Sequence, residues 1–280
     1  SISTSVLGNR GDAVIVIEGA DYVTFNSINV AASDQGIEYG YYLRKVSVTN
    51  GCKNVTVKNA SISMTKGTSR YVAGFCTGNS SSSSDNLVIT NQNGSHDNIV
   101  FTGNTINNTF AGIYMKGSAN FFDRFFTIGS AGHPNSIQNF GGNAAYETYG
   151  IYLENNDEST LAYNTINNTS GGGSSFTAAG YGIYNNCSLE IDFTAENNTL
   201  SLTSASSGMT GIYSESSGIT NINGNTLSLN NTTSTSGQFI FIDNFQSSST
   251  TTNNTSISNN TFTNSEIQTT GTTYLIRNNN

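Results

Sequence analysis

Acidic residues gather at only a few places in this chain, and one of these places has the composition of a cation site. The segment ENNDES supplies Glu154, Asp157 and Glu158 from a single stretch. Ca²⁺ prefers oxygen ligands, carboxylates above all, so these three side chains are the candidate calcium ligands. Three acids in a loop also commonly face water and hold nothing, and the sequence leaves that alternative open.

Other charged side chains are candidates for acid–base chemistry. Asp123 and Arg124 lie within FFDRFF, where apolar neighbours could shift a pKa or cover an ion pair. His96 and His133 are far apart in sequence, and neither has an evident partner. The segment LEIDFTAE adds three acids, two of which alternate with apolar residues and are expected on a solvent face: Glu190, Asp192 and Glu196.

A pair of carboxylic acids could catalyse glycoside hydrolysis, so a polysaccharide hydrolase or lyase remains an alternative. Such an enzyme would need its acids and a base to lie along one groove. The sequence contains no nucleophile elbow, phosphate-binding loop, dinucleotide fingerprint or zinc helix motif. No catalytic residue is therefore assigned.

Aromatic residues follow a recurring phrase of glycine, an apolar residue and an aromatic residue. Complete copies occur at residues 40–42, 112–114, 150–152, 182–184 and 211–213, with degenerate copies at 74–76, 239–241 and 273–275. Strict alternation along a strand would place the residues at −1, +1 and +3 from the glycine in the core. The glycine and the aromatic residue would then lie on the outer face.

Stacked along the repeat, this outer face predicts an aromatic row that includes Cys76 and Leu275 and whose aromatic members are Tyr42, Tyr114, Tyr152, Tyr184, Tyr213 and Phe241. Neighbouring rings stabilise paired strands and shield strand glycines, which gives the row a structural purpose. Exposed aromatic rings are also where a sugar or a partner protein can stack. The sequence is compatible with both interpretations. Lys116 and Glu154, each two residues after a tyrosine of the row, are expected to form a surface ion pair.

A second phrase, Asn-[Ser/Thr]-apolar, alternates with the first and fixes the period. Its apolar members are separated by 27 to 44 residues, about 33 on average: Ile28, Ile62, Ile106, Ile137, Ile166, Leu200, Leu227 and Phe262. The residues around both phrases alternate with period two and are rich in β-branched and aromatic types, which predicts strands. Two or three short strands per unit predict a parallel-stacked solenoid, since a propeller blade needs about 40 residues or more.

The asparagine of the second phrase is predicted to form the corner of each coil. Asparagine tolerates the left-handed conformation that a sharp bend needs. Asparagine side chains stacked about 4.8 Å apart can also hydrogen-bond to one another along the axis. The following Ser or Thr should point outward, and the apolar residue inward.

Composition excludes several functional classes. The chain has 280 residues, a net charge of −8 and only 10% charged residues, without a basic patch, so nucleic acid is not an expected partner. No apolar run is long enough for a membrane-spanning segment. Cys52, Cys76 and Cys187 have no metal-binding spacing and are expected as small buried residues, with one Cys52–Cys76 bridge as the alternative.

The repeat, of the form V-x-F-x-x-N-T-I followed by Y-G-I-Y-L-x-N-N, resembles a known family over roughly residues 12–277. It is similar to the right-handed parallel β-helix regions of very large secreted surface proteins from gliding, polysaccharide-degrading Gram-negative bacteria. The segment TIGSAGHPNSIQNFGG, residues 127–142, is typical of such a coil. The resemblance implies the β-helix fold and a secreted or cell-surface location. Members of the family are mostly adhesins, stalks or uncharacterised, so no catalytic motif comes with it.

We therefore expect an all-β, right-handed parallel β-helix of about eight coils, forming a single domain over residues 1–280 and belonging to a longer chain. The expected function is a structural or adhesive segment of a surface or filament protein that contacts glycans, other copies of itself or a larger assembly. No cofactor is expected unless Ca²⁺ binds at the acidic segment. The alternatives are a β-helix polysaccharide lyase or hydrolase, and a trimeric viral tail fibre.

Overall fold

The computed structural model describes residues 12–34, 36–66, 72–84, 86–142, 146–168, 179–187, 191–205, 207–246 and 254–279. These residues form a right-handed parallel β-helix, so the predicted fold class is confirmed. Glu190 and most of the Gly/Ser-rich segment after Asn168 lie outside the described residues.

Short strands make up most of the described chain. In chain order they are β1 Ala13–Glu18, β2 Thr24–Asn26, β3 Val30–Ala31, β4 Tyr39–Arg44, β5 Lys53–Lys58, β6 Ser61–Ser63, β7 Ala73–Thr77, β8 Asp97–Thr102, β9 Thr105–Asn107, β10 Ala111–Lys116, β11 Asp123–Arg124, β12 Thr127–Ile128, β13 Ser136–Gln138, β14 Thr148–Glu154, β15 Asn156–Asp157, β16 Ser159–Ala162, β17 Thr165–Asn167, β18 Gly180–Asn186, β19 Phe193–Glu196, β20 Thr199–Ser204, β21 Met209–Glu215, β22 Thr220–Asn223, β23 Thr226–Asn231, β24 Phe239–Phe245, β25 Thr255–Ser258, β26 Thr261–Phe262 and β27 Thr273–Asn279. One 3-10 turn, Gln92–Gly94, precedes β8. The described residues contain no helix with the length and apolar character that crossing a membrane requires.

Each coil contributes strands to three parallel sheets. The first, here called the tyrosine sheet, has the order β1-β4-β7-β10-β14-β18-β21-β24-β27. The second sheet contains β2, β5, β8, β11, β12, β15, β16, β19, β22 and β25, and the third runs from β3 to β26. The chain passes from the tyrosine sheet to the second sheet and then to the third before it begins the next coil. Residues about 33 apart in sequence therefore become direct neighbours.

One apolar core runs through the coils and is built from rows of equivalent residues. The apolar residue of the Asn-[Ser/Thr]-apolar phrase points inward in most coils, as predicted, and these residues are fully or almost fully buried: Ile62, Ile106, Ile137, Ile166, Leu200 and Leu227. The hydroxylated residue before each of them lies on the outer face. Each row extends the core by one side chain per coil, which is how so polar a chain buries enough apolar surface.

The first coil departs from the predicted register. Val30 pairs with Ile62 and is buried, whereas Ile28 is 48% exposed, so the prediction that Ile28 faces the core was wrong. The phrase Asn-Ser-Ile occurs there two residues too early to align with the later coils. In an asparagine-rich chain a matching triplet need not hold the equivalent position.

A ladder of asparagine side chains lies inside the turn between the second and third sheets. Nδ2 of Asn164 donates to the carbonyl oxygen of Ile128 at 2.8 Å and to Oδ1 of Asn198 at 2.9 Å. Oδ1 of Asn198 also accepts the backbone N–H of Asn164. The same pattern of side-chain bonds along the axis, which was predicted, links six successive coils: Asn104, Asn135, Asn164, Asn198, Asn225 and Asn260.

At five of the six ladder positions the left-handed conformation falls on the residue before the asparagine, and not on the asparagine itself as predicted: Gly103, Tyr163, Asn197, Gly224 and Asn259. Asn59 has the same conformation at the equivalent corner before Ala60, whereas Asn135 follows Pro134, which does not have a positive φ. The ladder asparagine must aim its amide inward at backbone groups of adjacent coils, so the preceding residue makes the bend. Three of these corner residues are themselves asparagine, a residue type enriched at positive φ.

All three cysteines are buried and free. Cys52 and Cys76 do not form the bridge that was considered, and the prediction of small buried residues is confirmed.

Candidate functional site

The glycine of each Gly-apolar-aromatic phrase points into the core, which corrects the predicted assignment of faces. A Cβ on Gly150 would lie 2.5 Å from a methyl group of Ile166 and 2.5 Å from the carbonyl oxygen of Gly182. The next residue, Ile151, also belongs to the core. Alternation therefore breaks at the glycine, and the residue before it moves to the outer face with the aromatic residue.

Two parallel rows of side chains result on the outer face of the tyrosine sheet. The front row, at the aromatic position of the phrase, contains Tyr42, Cys76, Tyr114, Tyr152, Tyr184 and Tyr213. The flanking row, at the position before the glycine, contains Tyr39, Ala73, Ala111, Tyr149 and Tyr181, all predicted or implied to face the core. Together the rows form the tyrosine face. Only the front row was predicted, because strict alternation hides the flanking row.

The first coils of the tyrosine face are covered. Tyr39, Tyr42, Ala73, Cys76 and Ala111 are buried and form a small apolar cluster separate from the main core. The hydroxyl of Tyr42 is hydrogen-bonded to Ser80, in the segment that follows β7. Tyr42 is thus part of a second small core and does not offer a contact surface.

Further along the axis the front row becomes a stack of four half-buried or nearly buried rings. Tyr114 and Tyr152 have centroids 4.5 Å apart and planes inclined by 4°. Tyr152 and Tyr184 are 5.4 Å apart, and Tyr184 and Tyr213 are 4.6 Å apart, again nearly parallel. Each inner ring therefore has its faces occupied by neighbouring rings. The stack presents ring edges and hydroxyl groups to its surroundings, so a sugar could stack only on an end ring.

Carboxylates accept hydrogen bonds from two hydroxyl groups of this stack. The Tyr152 hydroxyl donates to Oε2 of Glu154 at 2.6 Å, and the Tyr213 hydroxyl donates to Glu215 at 3.1 Å. Glu154 also pairs with Lys116 at 2.9 Å, as predicted. Burial, followed by nearby glutamate charges, raises the pKa of Tyr184 to about 12. The phenol groups therefore remain protonated donors at neutral pH.

The aromatic row ends one coil earlier than predicted. Asp243 pairs with Tyr213, and Arg277 pairs with Asp243, so these two charged residues continue the front row. Phe241 occupies the glycine position of its coil, lies in the core and packs edge-to-face on Phe262. The assignment of Phe241 to the outer row was therefore wrong, and the same shift of two residues removes Leu275.

A cleft of about 530 Å³ opens where both rows lose their rings. In the flanking row Thr210 follows Tyr181, and in the front row Asp243 follows Tyr213. Tyr181, Tyr213, Thr210, Asp243 and Arg277 all line the cleft. The smaller side chains at Thr210 and Asp243 leave the space that tyrosines fill in the preceding coils.

The ion pair of Asp243 and Arg277 lines the cleft. Nε and one terminal nitrogen of Arg277 donate to the two carboxylate oxygens of Asp243 at 2.9 and 2.5 Å. This two-bond contact fixes both side chains, and it raises the pKa of Arg277. Each carboxylate oxygen keeps a further lone pair, and the guanidinium keeps further N–H groups for a ligand.

The structure does not bring the three candidate calcium ligands together. Glu154 is bound to Tyr152 and Lys116 on the tyrosine face. Asp157 lies in the second sheet, where its Oδ1 accepts the backbone N–H groups of Glu158 and Asp192. Within the described ranges, no three His, Cys, Asp or Glu side chains form a metal-binding group.

Asp123 and His96 belong to a fully buried polar cluster. Nζ of Lys45 lies 2.9 Å from Oδ1 of Asp123, so Asp123 pairs with Lys45 and not with Arg124. The backbone N–H of His96 donates to the same Oδ1, and Nδ1 of His96 accepts the backbone N–H of Cys52. Burial raises the pKa of Asp123 and, with Lys45 and Lys53, holds the pKa of His96 well below its usual value. The cluster joins residues from three coils inside the fold, whereas His133 is exposed.

No protein-family model, no curated protein and no solved structure matches this chain.

Proposed function

We propose that this chain is a structural and adhesive β-helix segment of a secreted cell-surface or filament protein, and that it contacts glycans through the tyrosine face. The observation that carries the proposal is the aromatic stack of Tyr114, Tyr152, Tyr184 and Tyr213 on the outside of the solenoid. Aromatic edges, protonated hydroxyls and carboxylates in one strip suit a ligand with many hydroxyl groups and apolar C–H faces.

The scaffold supports the adhesive role. Successive coils are joined by three parallel sheets, and six of them also by the asparagine ladder, so the tyrosine face is held on a stiff base. Binding groups on a rigid element lose little conformational freedom when a ligand binds. A larger surface assembly or other copies of the chain are further proposed partners of such a rod.

Glycan binding is tested with a panel of bacterial and host polysaccharides and the purified chain. The chain has 14 tyrosines and no tryptophan, so its near-ultraviolet fluorescence reports on tyrosine alone. We expect binding by at least one glycan, accompanied by a change in this fluorescence. Replacing Tyr184 with alanine should weaken binding by about tenfold or more, because it interrupts the stack.

The matched control is Tyr22→Ala, because Tyr22 is 83% exposed and lies outside the tyrosine face. It should bind like the unmodified chain. If no glycan in the panel binds, or if Tyr184→Ala binds as well as Tyr22→Ala in folded protein, the proposed adhesive function is wrong.

A second candidate, a polysaccharide hydrolase or lyase, is favoured by one observation. Carboxylates of Glu147, Glu154, Glu215 and Asp243 all lie beside the tyrosine rows. Acids gathered along one face are what such an enzyme requires. Incubation with the same polysaccharides, followed by assays for new reducing ends and for unsaturated products, tests this candidate. Turnover that is lost in Asp243→Asn would favour the enzyme over the adhesin.

A further inference from the structure

The cleft at the end of the tyrosine rows lies against Tyr213, the last ring of the stack, whose surroundings differ from those of the inner rings. Tyr184 covers one face of the Tyr213 ring at 4.6 Å. On its other side the front row continues with Asp243, and no ring among the described residues stacks there. Tyr213 therefore turns an aromatic face toward the cleft.

The spacing of the stack defines where a further ring beyond Tyr213 would lie. Successive ring centroids along the front row are 4.5 to 5.4 Å apart. A pyranose ring has an apolar C–H face that packs on an aromatic face, and hydroxyl groups around its edge. Beside that position lie the Asp243–Arg277 pair and the side chain of Thr210, which supply acceptors and donors.

Charge around the cleft selects among sugars. Asp243 neutralises Arg277 directly, while the carboxylates of Glu147 and Glu215 interact with Tyr181 and Tyr213, the tyrosines that line the cleft. Three carboxylates against one guanidinium leave this region negative. An acidic sugar would be repelled and would also have to compete with Asp243 for Arg277.

We infer that the cleft lined by Tyr181, Thr210, Tyr213, Asp243 and Arg277 binds one uncharged hexopyranose unit, stacked on Tyr213 as the next ring of the row. This inference rests on the proposed glycan-binding function and assigns it a site and a sugar class. One ring buries little surface, so the dissociation constant for a monosaccharide is on the order of 1 mM.

The test observes the cleft directly by NMR. Ile240 lines the cleft, and Ile106 lies in the third sheet, so an isoleucine-methyl-labelled chain contains both a reporter and an internal control. The probes are the methyl pyranosides of glucose, galactose and mannose, with methyl glucuronide as the acidic match to the glucoside. We expect the Ile240 methyl signal to shift with at least one neutral glycoside, not with the glucuronide, while Ile106 stays unchanged.

Two variants make the test specific. Thr210→Tyr continues the flanking row beyond Tyr181 and should fill the cleft without disturbing the core, whereas Thr165→Tyr adds the same ring at an exposed position of β17, away from the cleft. Thr210→Tyr and Tyr213→Ala should each weaken glycoside binding by at least about tenfold, and Thr165→Tyr should not.

Each outcome separates this inference from the broader function. If Ile240 responds to no neutral glycoside, or responds equally in Thr210→Tyr, the cleft is not a sugar site. If polysaccharide binding survives in Thr210→Tyr but is lost in Tyr184→Ala, the inference is overturned and the adhesive function stands. If the unmodified chain binds no glycan at all, the adhesive function falls as well.

Discussion

Replacing Asn164 with alanine removes one rung from the middle of the asparagine ladder. The side chain of Asn164 is fully buried and forms three hydrogen bonds through its amide. Nδ2 donates to the carbonyl oxygen of Ile128 and to Oδ1 of Asn198, and Oδ1 accepts from Nδ2 of Asn135. Alanine deletes all three bonds and leaves buried polar groups facing a small void.

The size of the effect follows from these contacts. A buried hydrogen bond between uncharged groups contributes about 1 kcal/mol to stability. The neighbouring rungs keep other partners, since Asn135 still donates to Phe101 and Oδ1 of Asn198 still accepts the backbone N–H of residue 164. Three lost bonds therefore predict that the free energy of unfolding falls by about 3 kcal/mol.

Urea unfolding followed by far-ultraviolet circular dichroism measures this change, provided that the slope of free energy against urea is the same in each variant. Asn221→Ala is the matched control, because Asn221 lies in β22 with its side chain on the outer face and should cost less than about 0.5 kcal/mol. Asn164→Asp keeps the shape but removes the donors, so it should be no more stable than Asn164→Ala. Losses below 1 kcal/mol, or equal losses for Asn164→Ala and Asn221→Ala, would refute the ladder's energetic role.

Three further outcomes are expected. Gly150→Ala should destabilise the fold by about 2 kcal/mol in urea titrations, because its Cβ would lie 2.5 Å from a backbone oxygen, whereas Gly132→Ala, with no atom within 4 Å, should be neutral. Lys45→Met should cost about 3–5 kcal/mol in urea at pH 7, since the Asp123 carboxylate loses its ammonium partner. Because burial raises the folded-state pKa of Asp123, its protonation should reduce that cost at pH 4. Unfolded His96 binds a proton near pH 6.5 while the folded residue stays neutral, so stability should fall below that pH by up to about 1.4 kcal/mol per unit, and His96→Gln should flatten the slope. An unchanged slope in that variant would contradict the assignment.

Much of the fold was predictable because the repeat is a local pattern. The apolar residue of the Asn-[Ser/Thr]-apolar phrase occupies the core in coil after coil, as at Ile106 and Ile166. Stacking of the asparagine side chains was predictable from their spacing alone. Register errors arose where the phrase is displaced by two residues from its position in the other coils, as at Ile28 in the first coil and Phe241 near the end.

The candidate site was less accessible to sequence reasoning. The front row of tyrosines could be read from the phrase Gly-Ile-Tyr, but the flanking row could not, because a break in alternation at the glycine leaves no mark in the sequence. The cleft depends on Thr210 and Asp243, which are ordinary polar residues until they are seen to interrupt two rows of rings. The partnership of Lys45 with Asp123, 78 residues away, likewise required the stacked coils.

The sequence by itself determined the period, the strand-forming alternation, the inward row of isoleucines and the stacking of the asparagines, because each depends on side-chain type and on spacing along the repeat. The tertiary structure alone decided which residues of different coils share a level along the axis. That register depends on how the glycines pack against the core and on the unequal lengths of the loops. Because of it, Tyr42 is covered, the rings from Tyr114 to Tyr213 stack face to face, and the cleft opens beyond the last of them.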